Sequence, residues 1–155
     1  MTYEELLKRD GRLVCTNKGV SMMPLLRADR DIMVIEACTG EQIKKYDAVL
    51  FVRPGRPGVS KHAYVLHRVL RVNPDGTFWI VGDNCYAGET VGPGQILGRL
   101  QAVVRDGRRI EVTERRYRCY VYLWCAPWPV RFVLLRGKAF LRKCFRFVKR
   151  ITVGQ

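Results

Sequence analysis

Residues 64–81 read YVLHRVLRV, then NPDG, then TFWIV. Two runs rich in β-branched and aromatic residues, types that suit a pleated surface, flank Asn73-Pro74-Asp75-Gly76. Proline presets one turn dihedral, Asn and Asp bond the nearby backbone, and glycine accepts a left-handed conformation. The stretch predicts a strand, a tight turn and a returning strand. Upstream, Leu13-Val14-Cys15, Asp31 to Glu36 and Ala48 to Val52 also read as strands. The polar Thr39–Asp47 connection lies between the last two of these, and the Pro/Gly-rich Arg53–Gly58 loop leads on towards Tyr64. Downstream, Gly82 to Gly94 reads as a loop, and Ile96 to Arg105 pairs with Arg108 to Val112 around Asp106-Gly107. Strands this short, with turn signals every ten residues or so, predict a mainly β body ending near Thr113.

The chain divides into three segments. Residues 1–12 carry a short helix, opened by the capping-box pattern Thr2-x-x-Glu5 and ended at Asp10-Gly11. Residues 13–114 form the β domain. Residues 115–155 are a basic, aromatic C-terminal segment. In it, Tyr117 to Trp128 is rich in aromatics and cysteine and is broken by Pro127 and Pro129. From Val130 the spacing turns helical. At about 100° per residue, Val133, Leu134, Phe140, Leu141, Cys144, Phe145 and Val148 fall on one side. Arg131, Arg136, Lys138, Arg142, Lys143, Arg146, Lys149 and Arg150 fall on the other, and Leu135 is the exception.

Net charge is +14, and it is uneven: residues 115–155 hold eleven Lys or Arg and no acid. A basic amphipathic helix over 130–150, preceded by Trp124 and Trp128, suits an anionic membrane surface. The competing expectation is a helix docked on the β body with its basic face solvated. No recognition motif accompanies the charge, so no nucleic-acid partner is expected. The six cysteines show no Cys-x-x-Cys pair and no histidine at ligand spacing, so they read as reduced packing residues, with no metal and no cofactor. Residues 1–11 lack a signal-peptide apolar run, and no stretch has spanning length. The expected location is cytoplasmic, or peripheral on the inner membrane face.

The chemistry centres on Gly19-Val20-Ser21-Met22-Met23-Pro24. A serine nucleophile needs a base within reach and donors for the oxyanion it generates. Gly19 would let the backbone turn sharply beside Ser21, so that Ser21 and its own N–H are presented. Alone, such a serine merely caps a turn. His67 changes the weighing: by strand parity it shares a face with Ala63, Val65 and Val69, where burial would keep the ring neutral and able to accept a proton. His62 faces the opposite way and reads as surface. Gly82-Asp83-Asn84 follows an apolar strand and suits a tight turn, from which Asp83 or the nearby Glu89 would orient the imidazole.

Ser21-Met22-Met23-Pro24, His67-Arg68-Val69 and Gly82-Asp83-Asn84 together resemble, in order and spacing, three boxes of type I signal peptidases. The base box resembles the archaeal and endoplasmic-reticulum type, with histidine in place of lysine. Ile96-Leu97-Gly98-Arg99 resembles the strand that follows the last box, and LexA-type repressors belong to the same clan. The resemblance spans residues 13–105. It implies a signal-peptidase/LexA-like β fold, here followed by a basic amphipathic helix, and a Ser–His endopeptidase. Ser21 would attack and His67 would serve as base. An acid six residues beyond the Asp of Gly-Asp-Asn would orient it; that place is Glu89, preferred to Asp83. Gly19 replaces the family's frequent oxyanion hydroxyl, leaving backbone N–H groups at Ser21 and Met22. Pro24, Gly82 and Asn84 would hold the turns.

The family's usual N-terminal transmembrane helix is missing, so the expected role is processing a specific protein or leader peptide rather than general secretion. Two alternatives stand beside it. One is a LexA-like self-cleaving regulator, weakened by the lack of a DNA-binding domain before Ser21. The other is a catalytically silent peptide-binding module held at a membrane surface.

Overall fold

In the computed structural model, residues 2–54 and 62–152 are described. Helix α1 (Tyr3–Asp10) opens with the expected box: Thr2 Oγ1 accepts from the Glu5 N–H, and a Glu5 carboxylate oxygen accepts from the Thr2 N–H. Gly11 closes it in the left-handed conformation. The body is one eight-stranded antiparallel sheet: β1 (Arg12–Thr16), β2 (Ile32–Ala37), β3 (Ala48–Pro54), β4 (His62–Val72), β5 (Phe78–Val81), β6 (Gly88–Val91), β7 (Ile96–Arg105) and β8 (Arg108–Glu111). The strand order is β1-β2-β7-β3-β4-β5-β6, with β8 paired to β7. Mainly β is the observed class.

Both sequence-predicted turns form. The Gly76 N–H donates to the Asn73 carbonyl, and Asp106 and Gly107 take φ 49° and 78°, the positive pair that joins β7 to β8. Glycine or a short polar residue tolerates that geometry, which is why Asp-Gly marks it. One expectation is corrected: the 82–94 loop contains β6, which pairs with β5 and places Glu89 opposite Ile80. Three residues between Gly88 and Gly92 are too few to show alternation, so the sequence hides the strand. The Gly55–Gly58 part of the Pro/Gly loop lies outside the described residues, and the side chains of His62 and of the helix positions beyond Arg142 are not among those described.

Strand alternation divides the apolar residues into two cores. Leu13, Met33, Ile35, Leu50, Leu66 and Leu100 belong to one cluster; Val49, Phe51, Val69, Phe78, Ile80 and Val91 belong to the other. Leu50 and Val49, or Leu66 and Val69, differ in parity, so the clusters lie on opposite faces of β3 and β4.

The C-terminal segment departs most from expectation. Helix α2 (Arg115–Tyr120) leads into a wide helical turn over Val121–Cys125, and α3 spans Trp128–Thr152. Pro129 sits in the first turn of α3, where a missing N–H is harmless, so it starts the helix rather than breaking it. Tyr117, Val121 and Cys125 are buried against the first core. Helix α3 docks with the side that carries Trp128, Arg131, Phe132 and Leu135. Trp128 meets Trp79 edge-on with ring centroids 5.0 Å apart, and Phe132 meets Tyr86 at 6.3 Å. Arg131, expected on the solvated face, is buried, and Leu135, the exception of the helical wheel, is half-buried beside it. Of the side predicted to be apolar, Val133, Leu134, Phe140 and Leu141 are exposed, and so are the basic residues Arg136, Lys138 and Arg142.

Candidate active site

Ser21 lies in a turn that leaves β1 through Asn17–Gly19 and continues to Leu25. Apolar anchors fix the turn on its C-terminal side: Met22 and Leu26 are fully buried in the first core. A charged cluster fixes its exit. Arg105 of β7 donates to the Leu25 carbonyl at 2.6 Å and the Pro24 carbonyl at 3.2 Å, and pairs with the buried Asp31. Asp31 also accepts from the Arg27 backbone and guanidinium. Burial alone would raise the Asp31 pKa, but these donors outweigh it and bring it down to about 2.

The Gly82-Asp83-Asn84 segment braces the front of the same turn. The Asn84 N–H donates to the Ser21 carbonyl at 2.7 Å, and its side-chain amide donates to the Val20 carbonyl at 3.1 Å. The Val20–Ser21 peptide is planar and trans, so its N–H points opposite its C=O. Holding the Val20 carbonyl toward Asn84 therefore aims the Ser21 N–H away from that loop. Among the described residues this N–H has no acceptor, which suits an oxyanion donor.

The glycine required by geometry is Gly82, not Gly19. A β-carbon on Gly82 would stand 2.7 Å from the Ser21 carbonyl oxygen and 3.1 Å from His67 Nε2. Gly82 thus lets the serine turn and the imidazole edge approach across one bare Cα. Gly19 adopts no left-handed φ, and a β-carbon there would make ordinary contacts, 4.0 Å from Ser21 Oγ. The sharp turn is built by Asn84 and the buried flanks instead.

His67 projects from β4 toward this point and is buried against Phe51, ring centroids 6.1 Å apart. With Ser21 it lines a cleft of about 560 Å³, whose walls include Met33, Leu50, Val65, Leu66 and Cys85. No hydrogen bond joins the Ser21 hydroxyl to His67 among the described residues; substrate-free sites are commonly this loose and tighten on binding. Burial lowers the His67 pKa below the ordinary 6.5; Glu89 opposes that and Arg53 reinforces it. The ring is neutral at pH 7, as a base must be.

The two acids separate cleanly. Glu89 Oε1 lies 3.5 Å from His67 Nδ1, a nitrogen that is buried and otherwise unpartnered. The contact is longer than a good hydrogen bond because Arg53 holds the same carboxylate from both ends of its guanidinium fork. Asp83 is wholly buried and bonded to Arg68 in a two-point pair, at 2.8 and 2.7 Å, facing away from the imidazole. Three groups from the C-terminal segment complete the cage. The Tyr120 hydroxyl donates to Asp83 at 2.8 Å, the Trp124 indole to the Asp83 carbonyl at 3.0 Å, and Arg131 lies 3.8 Å from the carboxylate. Tyr117 receives Arg68 at 3.1 Å.

Sequence reasoning does not reach this cage. One signal for it is present, because Arg68 shares parity with Leu66 and Leu70 on an apolar strand and so needs a buried counter-charge. The tyrosines and Trp124 that finish it carry none. Cys85 is the other nucleophile type in the cleft, and burial raises its thiol pKa, keeping it protonated. Cys15, Cys38, Cys119 and Cys125 are free thiols as well. Among the described residues, no cluster of His, Cys, Asp or Glu could hold a metal ion. No family model, no curated protein and no solved structure matches this chain.

Proposed function

We propose that this chain is a serine endopeptidase of the signal-peptidase/LexA-like type. The observation that carries the reading is convergence: Ser21 and His67, from separate segments, line one cleft and approach each other across the bare Cα of Gly82, while Glu89 stands 3.5 Å from His67 Nδ1. Ser21 Oγ attacks the scissile carbonyl while His67 Nε2 takes its proton. The Ser21 N–H stabilises the oxyanion, and His67 returns the proton to the departing amine. Water, deprotonated by the same ring, then cleaves the Ser21 ester and releases the acid. Glu89 keeps Nδ1 in the protonated tautomer that leaves Nε2 free to accept.

The cleft favours an extended peptide. Strand β5 pairs with β4 only over Arg68–Val72, so among the described residues the Tyr64–His67 edge has a strand partner on the β3 side alone. That edge and residues 16–19, at the end of β1 and just beyond it, both line the cleft. An added strand there satisfies its backbone groups and passes both Ser21 and His67. The substrate is a specific protein or leader peptide.

The deciding test is covalent labelling of the whole chain with peptide-based and β-lactam-type acylating probes, compared with Ser21→Ala and His67→Ala. We expect labelling at one site, abolished by Ser21→Ala and slowed about 10²–10⁴-fold by His67→Ala. Absence of labelling from pH 6 to 9 in the folded protein would overturn the reading and favour a silent peptide-binding module. An intact mass that falls on incubation would instead favour self-cleavage.

A further inference from the structure

Helix α3 carries an apolar stripe that nothing among the described residues covers. Val130, Val133, Leu134 and Leu141 follow the i, i+3, i+4, i+11 positions of one helix face, and Phe140 adjoins them. All five are between 59% and 68% exposed. The stripe is not left over from weak docking, because the opposite side of the helix is fastened through Trp128, Arg131 and Phe132. A soluble helix normally buries its apolar side and solvates its charges. Here the docked side includes a buried arginine and the exposed side is oily.

The flanks decide what covers the stripe. Arg136, Lys138 and Arg142 are exposed beside it, and the sequence adds Lys143, Arg146, Lys149 and Arg150 without an acid anywhere in 115–155. A second copy would bring these cations together with no carboxylate to answer them. Nucleic acid would meet the cations and leave the leucines and phenylalanine in water. An anionic bilayer surface satisfies both, taking the apolar side chains below its headgroups and pairing the cations with lipid phosphates. Among the described residues no helix is long and apolar enough to cross a membrane, so the helix would lie in the surface plane.

We infer that α3 is an interfacial helix that seats the folded protein on an anionic lipid bilayer through Val130, Val133, Leu134, Phe140 and Leu141. Its docked side grips the Asp83–Tyr86 loop, whose Asn84 braces the Ser21 turn. The same helix therefore fixes where the cleft lies relative to the bilayer. The inference does not depend on proteolysis and fails or stands separately from it.

The test is co-sedimentation of the full chain with vesicles of phosphatidylcholine alone and with about a third phosphatidylglycerol. A triple variant, Leu134→Gln, Phe140→Gln and Leu141→Gln, changes only exposed positions and leaves the fold intact. We expect binding to the anionic vesicles only, at least about tenfold weaker for the triple variant. Each of Arg136→Gln and Lys138→Gln should weaken it about fivefold at low salt. No binding to anionic vesicles at low salt would overturn the inference. So would equal binding by the triple variant, or a dimer in sedimentation velocity that the triple variant abolishes. Duplex DNA that displaces the protein from vesicles, and that the triple variant binds as well as the parent, would assign the helix to nucleic acid instead.

Discussion

His67 answers to charged neighbours of both signs, Glu89 and the more weakly acting Asp83 on one side and Arg53 on the other. Glu89 raises its pKa and Arg53 lowers it, while burial sets the overall downward shift. Acylation should therefore already be at its plateau at pH 7 and decline as pH falls through the lowered value. Glu89→Gln removes the larger raising charge, so the midpoint should move further down and the rate should fall about tenfold as the tautomer loses its partner. Arg53→Gln releases Glu89 to His67, so the midpoint should move up. A pH–rate profile of probe acylation for the three proteins checks both directions, and identical midpoints would refute the arrangement. Stability carries the same sign. Above pH 6.5 the ring is neutral whether the chain is folded or not; below it the unfolded chain takes the proton first, so stability falls until the folded value is passed. His67→Gln should flatten Tm against pH in that window.

At the scale of elements, the site depends on segments that never touch the cleft. Arg68 and Asp83 are both fully buried, so Asp83→Asn strands a buried guanidinium and should cost about 3–5 kcal/mol in denaturant unfolding. Tyr120→Phe removes one donor to that carboxylate and should cost about 1.5–3 kcal/mol. Gly82→Ala places a methyl group 2.7 Å from the Ser21 carbonyl, so the Ser21 turn and β4 must separate. Its expected signature is a large loss of acylation with a stability cost of only about 1–3 kcal/mol. Gly19→Ala, with ordinary contacts, should retain most activity. Equal loss from the two glycine variants would show that the close approach at Gly82 is not what assembles the site.

For the whole molecule, the C-terminal segment has two duties at different depths. Residues 115–135 close the Arg68–Asp83 cage through Tyr117, Tyr120, Trp124 and Arg131. A chain ending at residue 114 exposes that ion pair and the first core, and should not fold cooperatively. A chain ending at 136 keeps every one of those contacts. It should melt near the parent and acylate normally while losing vesicle binding. Thermal unfolding and co-sedimentation of the two truncations separate the duties, and a stable 114-residue chain would refute the first.

Much of this is legible in one dimension because its causes are local. Asn-Pro-Asp-Gly and Asp-Gly dictate turns through their own dihedrals, the Thr2 box caps its own helix, and alternation along β4 tells which side His67 shares with Val65 and Val69. Ser21, His67 and Gly82-Asp83-Asn84 stand out for the same reason, as short motifs whose residue types limit their chemistry. Partnership is legible only through the resemblance, whose spacing prefers Glu89 to Asp83. Glu89 and Asp83 are two carboxylates in one loop, and only β6 pairing turns the first toward His67 while the buried Arg68 claims the second. The periodicity of α3 likewise defines two faces without saying which one docks. That depends on where Asp83, Trp79 and Tyr86 present a buried charge and ring edges, and they draw in Arg131, Trp128 and Phe132 rather than Leu134 and Leu141. Sequence by itself determined most of the strands and the turns and marked Ser21 and His67 as candidates, since each rests on dihedral preference, periodicity or a motif within a few positions. Tertiary structure set the carboxylate that the motif spacing favoured, Glu89, beside the histidine, and it alone decided which described face of the last helix is left to the solvent, because both depend on charges and rings brought together from distant parts of the chain.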